Sequence, residues 1–328
     1  MKQRVLGKTG FQVSEIGLGT WQVGGTWGQP FDDAVADRIL DEAVELGITF
    51  VDTADVYSDG LSEKAVGRAI KRHPGRFKVA TKCGRQITPH VSAGYTPQVL
   101  RKYVEDSLGR LGVETLDLIQ LHCPPTEVYY RPEIFELFDR LKDEGKVQNL
   151  GVSVEKVEEG IKAMEYPSVA SIQLIFNLFR YRPSELLFER AKQKGVGIIV
   201  RVPLASGLLT GKYRRDTAFG PDDHRSFNRD GAAFDKGETF SGVDYETGLR
   251  AAEELKAAFP EGQPLSAWAL RWILMFDAVS TVIPGASRPE QIRANAAAAE
   301  LPPLDETAMA AARSIYDRSI RKPVHDLW

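Results

Sequence analysis

The chain has 328 residues, 43% hydrophobic and 27% charged, enough to bury one large core in a single domain spanning 1–328. Its formal net charge of -3 gives no broad field for nucleic acid or an anionic membrane, so any anion site has to be local. No apolar run is long enough to span a bilayer, Met1-Lys2-Gln3-Arg4 leads into no signal core, and Cys83 and Cys123 make neither a disulfide framework nor a thiolate metal centre. The expectation is a cytoplasmic protein without a metal, its cysteines small buried hydrophobes rather than redox-sensitive thiols.

Residues 4–15 alternate apolar and polar around Lys8-Thr9-Gly10, which predicts a β-hairpin plugging one end of a barrel. Strand-like runs follow at 15–19, 48–52, 77–82, 116–122, 147–152, 170–173, 196–200 and 279–283. Helix-like stretches fall at 31–46, 61–70, 96–111, 132–144, 183–194, 264–275 and 289–298, several opening on a turn residue and proline, as at Thr96-Pro97 and Arg182-Pro183. This alternation predicts an α/β fold, a (β/α)8 TIM barrel, with a doubly wound open sheet as the alternative because counting does not show closure. Residues 212–244, rich in Gly, Asp, Arg and Phe, predict a long loop on the C-terminal face near a ligand. From Asp305 the pattern predicts one more helix, then coil to Trp328.

Three successive strand runs end on different ionisable residues, Asp52, Lys82 and His122, and Tyr57 follows Asp52 in the next loop. Singly, each has an ordinary structural explanation as a core histidine or an ion pair. Together, at the C-terminal ends of adjacent parallel strands, they surround one barrel mouth where a carbonyl can sit. A tyrosine hydroxyl ordinarily titrates near about 10, so Lys82 is expected to favour its phenolate, Asp52 to hold Lys82, and His122 to offer a hydrogen bond to the substrate oxygen. No side chain supplies a hydride, so a cofactor has to.

Gly17-Leu18-Gly19-Thr20-Trp21-Gln22 starts like a dinucleotide fingerprint but lacks the third glycine, and neither a P-loop nor H-E-x-x-H is present. The anion signal follows the last strand, where Ser287, Arg288 and Arg293 gather at a predicted helix N-terminus. Ordinary capping with solvated arginines is the alternative.

Gly17-Leu18-Gly19-Thr20-Trp21, Phe50-Val51-Asp52-Thr53-Ala54-Asp55-Val56-Tyr57-Ser58, Ala80-Thr81-Lys82, the run ending in His122, Gly151-Val152-Ser153 and Ile283-Pro284-Gly285-Ala286-Ser287 together resemble aldo-keto reductases. The likeness is to bacterial members related to potassium-channel β subunits, from about Arg4 to Asn295. It implies a barrel that binds NADPH (NADP+) in extended form without a Rossmann domain. It also implies reduction of a small-molecule carbonyl by hydride transfer, with Asp52, Tyr57, Lys82 and His122 as the catalytic tetrad and Tyr57 as proton donor. By the same resemblance Thr20, Trp21 and Asp52 touch the coenzyme, Ser153 and Gln173 hold the carboxamide, and Arg201, Val202, Pro203, Leu204 and Lys212 run along it toward the pyrophosphate. Gly285, Ser287, Gln291 and Asn295 surround the adenosine end, and Arg288, with Arg293 second, meets the 2′-phosphate. Trp21, Val56 and Cys123 suggest an apolar substrate pocket.

Two positions depart from the family pattern. Arg201 stands where an aromatic residue usually stacks on the nicotinamide; a guanidinium can stack, but its charge favours NADPH over NADP+ unless a carboxylate pairs with it. Val154 follows Ser153 where many members have Asn or Arg. A coenzyme-binding regulatory or redox-sensing subunit of a partner protein is one competing reading, and a hydrolase or lyase using Lys82 as a Schiff-base amine is another.

Overall fold

The computed structural model describes residues 1–25 and 28–328. Strands β1 (Gln3–Val5) and β2 (Gln12–Ser14) pair antiparallel as the expected hairpin. Leu6 and Val13 enter the barrel floor beside Phe50, Ala80, Leu118, Ile199 and Ile283, so the hairpin does plug one end. Gly7 permits this approach: its φ is +48°, and a Cβ there would meet the Gly197 nitrogen at 2.1 Å.

Eight parallel strands follow: β3 (Leu18–Gly19), β4 (Phe50–Asp52), β5 (Lys78–Cys83), β6 (Leu116–His122), β7 (Val147–Ser153), β8 (Val169–Ile175), β9 (Gly197–Arg201) and β10 (Val279–Val282). Each lies beside its neighbour in chain order. Ile16 bridges Val282 and Gly19 bridges Gly285, both parallel, and the Gly17 N–H donates to the Val282 carbonyl at 2.8 Å. The first strand therefore meets the last, and the barrel closes rather than remaining an open sheet. β8 is buried along its whole length, as a strand covered on both faces must be.

The helices are α1 (Asp33–Glu45), α2 (Leu61–Arg72), α3 (Pro97–Leu111), α4 (Pro132–Asp143), α5 (Val157–Ala163), α6 (Leu187–Lys194), α7 (His224–Phe227), α8 (Tyr245–Ala258), α9 (Leu265–Leu274), α10 (Pro289–Ala297), α11 (Glu306–Ile315) and α12 (Arg321–Val324). Side-chain caps explain several starts: Asp32 accepts from the Val35 N–H, Thr96 from Val99, Asp244 from Thr247 and Asp305 from Ala308. α4 buries Ile134, Phe135, Leu137, Phe138 and Leu141, the stripe that made it legible.

α5 and α8 are not predicted by the sequence pattern. α5 has only 7 residues, and α8 buries Gly248, Ala251, Ala252 and Leu255, a face too small in side-chain volume to stand out. After Asp305 the chain stays helical through α12 and a final turn at His325–Leu327, instead of passing into coil, and Trp328 is buried. The stretch between β9 and α8 holds α7 and short 3-10 turns, and Tyr213, His224, Arg225 and Glu238 from it line the cavity at the strands' C-terminal ends. Among the described residues no helix is long and apolar enough to cross a membrane.

Candidate active site

Asp52 and His122 end β4 and β6, and Lys82 is the penultimate residue of β5, so strand register alone brings the three together. The Lys82 Nζ is fully buried and donates to Asp52 Oδ1 at 2.5 Å, to the Thr53 carbonyl at 2.8 Å and to the Tyr57 hydroxyl at 3.2 Å. Asp52 Oδ2 accepts from Gln173 at 2.7 Å and Gln120 at 3.1 Å. A buried ion pair needs its remaining lone pairs filled, and the two glutamines fill them.

Burial pushes the Lys82 ammonium toward deprotonation, but Asp52 and Tyr57 outweigh it and hold Lys82 above its ordinary range. Burial also raises the Tyr57 hydroxyl, against the pull of Lys82. Lys82 thus acts in the expected direction, yet burial wins, and Tyr57 rests as a phenol. Burial, followed by Arg85, Lys82 and Arg201, keeps His122 well below its usual range, so its imidazole is neutral. Its Nδ1 is buried without a hydrogen-bond partner among the described residues, and its ring meets the edge of Tyr57 at 6.0 Å between centroids.

A cavity of about 290 Å³ opens over these groups and runs to the start of α10. Asp52, Tyr57, His122, Thr20, Trp21, Gln173, Arg201, Val202, Pro203, Leu204, Gly285 and Gln291 line it. Val202 is a β-branched residue held at φ +50°, a strained backbone of the kind that marks functional loops. Ser153 is buried beside the wall, its hydroxyl 3.4 Å from Gln173 Oε1. Ser287 donates to Gln291 Oε1 from its amide at 2.7 Å and its hydroxyl at 3.1 Å, and Asn295 donates to the Gly285 carbonyl at 3.3 Å. Arg288, at the N-cap of α10, is exposed and makes no ion pair among the described residues. Arg293 instead grips Glu42 of α1 through two bonds of 2.7 Å. Lys212 is exposed and does not line the cavity.

Of the three residues expected around the substrate, Trp21 alone lines this cavity, its ring 6.2 Å from Tyr57 and 5.2 Å from His224. Val56 lines a neighbouring depression with Gln22 and Phe31, and Cys123 is buried behind Arg201, whose Nη2 lies 3.5 Å from its sulfur. Burial raises both cysteine thiols and leaves them protonated, which fits small hydrophobes. The rest of the wall mixes apolar and polar groups: Leu204, Tyr213 and Ile283 line it, and the 202–244 stretch also supplies His224, Arg225 and Glu238. No periodicity or motif in that stretch signals these residues.

Arg201 pairs with Glu155 at 2.9 Å and approaches Glu238 at 3.6 Å, and Arg85 donates to Glu238 Oε1 at 2.8 Å. Arg201 also donates to the Val154 carbonyl at 3.2 Å. Burial raises Glu155, whereas Arg85 and Arg201 overcome burial at Glu238 and hold it ionised. Of the two readings of Arg201, the carboxylate-paired one is what the fold builds. The continuous path from Gln173 past Val202, Pro203 and Leu204 to Gly285, with Arg288 free at a helix N-terminus, fits an extended nicotinamide dinucleotide.

The aldo/keto reductase family model matches residues 15–317, and the chain belongs to that family of NAD(P)H-dependent oxidoreductases. It is 31% identical to the uncharacterized oxidoreductase YqkF of Bacillus subtilis over 325 residues, 98% of this chain and 99% of that protein. It is 30% identical to the NADH-specific methylglyoxal reductase of Escherichia coli over 326 residues, 91% of this chain and 93% of that one. Among solved structures, the glycerol dehydrogenase AKR11B4 from Gluconobacter oxydans superposes with a TM-score of 0.80 at 31% identity, covering 100% of this chain and 98% of that one. The holo form of AKR11C1 from Bacillus halodurans gives 0.76 at 29% identity, with 96% of each chain covered.

Proposed function

We propose that this protein reduces aldehyde or ketone carbonyls to alcohols with NADPH, and that Tyr57 donates the proton. The observation that carries the reading is the Tyr57 hydroxyl 3.2 Å from a Lys82 ammonium that Asp52 and Thr53 fix in place, at a cavity wall shared with neutral His122. When bound, the dinucleotide supplies the hydride. Lys82 has three donors, and Asp52, Thr53 and Tyr57 take one each. A phenolate left by proton transfer is therefore born beside a fixed cation. Until a carbonyl arrives, burial keeps the Tyr57 proton on. His122, uncharged, retains an N–H to offer the same carbonyl oxygen.

On this reading Ser153 and Gln173 hold the carboxamide, Pro203 and Leu204 follow the pyrophosphate, Gly285 and Gln291 flank the adenosine, and Arg288 meets the 2′-phosphate. The E. coli relative is named as NADH-specific, so the coenzyme preference of this chain is a point the Arg288 variant tests. A Schiff-base role for Lys82 needs a neutral amine, which Asp52 opposes. The complete tetrad favours catalysis over a purely regulatory subunit. Loss of NADPH absorbance with a panel of aldehydes, ketones and sugars tests the reading. NADPH binding without consumption by any of them overturns it in favour of the regulatory role.

A further inference from the structure

Glu238 is a second carboxylate on the cavity wall, and the proton and hydride chemistry above gives it no task. It is deeply buried, at 8% side-chain exposure. Its place is fixed from the backbone: Ser206 donates to the Glu238 carbonyl at 3.0 Å while accepting from the Phe240 N–H at 3.0 Å. Oε1 takes the Arg85 bond at 2.8 Å, whereas the nearest Arg201 nitrogen stands 3.6 Å from Oε2, beyond hydrogen-bonding reach. An ionised carboxylate offers about four lone-pair sites. Arg85 fills one of these sites and the Glu155 carboxyl another, and Glu238 lines the cavity with the rest.

A desolvated carboxylate with open lone pairs is costly against an alkyl group and favourable against a hydroxyl. Trp21, on the same cavity, gives the carbon skeleton an aromatic face. We propose that the substrate is a short hydroxyaldehyde or hydroxyketone whose hydroxyl, next to the carbonyl, donates to Glu238 Oε2 while the carbonyl oxygen takes the Tyr57 proton. This rests on the carbonyl reduction proposed above and adds the substrate class to it.

The test compares kcat/KM for glyceraldehyde and propanal, three-carbon aldehydes that differ in their hydroxyls, in the parent chain, Glu238→Gln and Glu238→Ala. The ratio of the two values is the readout, because it cancels the fraction of active enzyme. The parent ratio should exceed that of Glu238→Ala by about 10- to 100-fold, the worth of a hydrogen bond to a charged acceptor, with Glu238→Gln between them. A second measurement needs no variant: glycerol should inhibit the parent enzyme at concentrations at least about tenfold below 1-propanol, by the same hydrogen bond. Equal ratios in parent and variants, or equal inhibition by the two alcohols, overturns the role of Glu238 while leaving carbonyl reduction standing. No NADPH consumption with either aldehyde, or with the wider panel, overturns the reduction itself and this proposal with it.

Discussion

The Trp328 indole donates to Asp235 Oδ1 at 2.7 Å, tying the end of the last helical stretch to the segment that carries Glu238. The Arg180 guanidinium covers the same ring at 4.1 Å. Gly237 and Gly242 make the room: a Cβ on either would meet the indole at 2.8 or 2.3 Å. The wall of the cavity is thus held from behind by a residue outside the barrel.

Trp328→Ala should therefore cost about 3–5 kcal/mol, the usual loss for truncating a buried tryptophan. Trp328→Phe keeps most of the packing and should cost about 1–3 kcal/mol for the Asp235 bond it abandons. Urea unfolding gives the totals, and limited proteolysis should cut first within 235–242. An alanine variant as stable and protease-resistant as the parent would show that the indole does not support this wall.

Tyr57→Phe removes only the hydroxyl that Lys82 addresses at 3.2 Å. It should lower kcat by about 10²- to 10⁴-fold, the range for a lost general acid, and leave coenzyme affinity within about twofold. Single-turnover NADPH oxidation and a fluorescence titration read the two quantities separately. Turnover near that of the parent rules Tyr57 out as the proton donor.

The proposed tetrad is legible in the sequence because Asp52, Lys82 and His122 end, or nearly end, separate apolar runs that strand register in a parallel sheet aligns, and Tyr57 follows Asp52 in the next loop. Closure of the barrel is not, since it depends on Ile16 meeting Val282 from opposite ends of the chain. The polar cluster beside the cavity is less legible still. Arg85 and Glu155 follow β5 and β7, Arg201 ends β9 and Glu238 lies in the stretch before α8, and the carboxylates that face Arg201 lie in segments with no pattern pointing to them. An arginine in place of an aromatic residue therefore reads in sequence as an added charge, while in the fold it arrives with carboxylates beside it.

That pairing sets the outcome for Arg201. With Glu155 at 2.9 Å and Glu238 at 3.6 Å, its charge is largely cancelled at the nicotinamide end, so the Arg201→Tyr variant should alter the ratio of NADPH to NADP+ affinity by less than about threefold. The same change removes the cation paired with Glu155 and leaves Glu238 to Arg85, and should destabilise the fold by about 3–5 kcal/mol. Isothermal titration with both redox forms and urea unfolding check the two halves. A large shift in the affinity ratio would mean that the uncompensated charge governs the redox preference after all.

Arg288 and Arg293 should behave oppositely, although both sit on or beside α10. Arg288→Ala should weaken NADPH by about 10- to 100-fold and NADH little, because a charge-assisted bond to the 2′-phosphate is lost. Arg293 is held by Glu42, so Arg293→Ala should move neither coenzyme by more than about twofold. Equal losses for NADPH and NADH in the Arg288 variant would remove that residue from 2′-phosphate recognition.

Asp55, three residues after Asp52, is 1% exposed, and neither of its carboxylate oxygens has a side-chain hydrogen-bond partner among the described residues. Burial first, then the charge of Glu63, raises it from 3.8 to about 7, against opposing pulls from Arg110, the Val56 amide and Lys82. Between pH 4 and 7 the unfolded chain gives up this proton while the folded one keeps it, so stability falls across that window and levels off above it. A shift of that size corresponds to roughly 4 kcal/mol. Asp55→Asn has nothing to ionise, so the stability difference between variant and parent should be flat below about pH 4 and grow in favour of the variant up to about pH 7. Urea unfolding of both proteins at pH 4 and pH 8 measures that difference directly. A difference that is the same at the two pH values would mean that Asp55 is already ionised in the folded protein at pH 4.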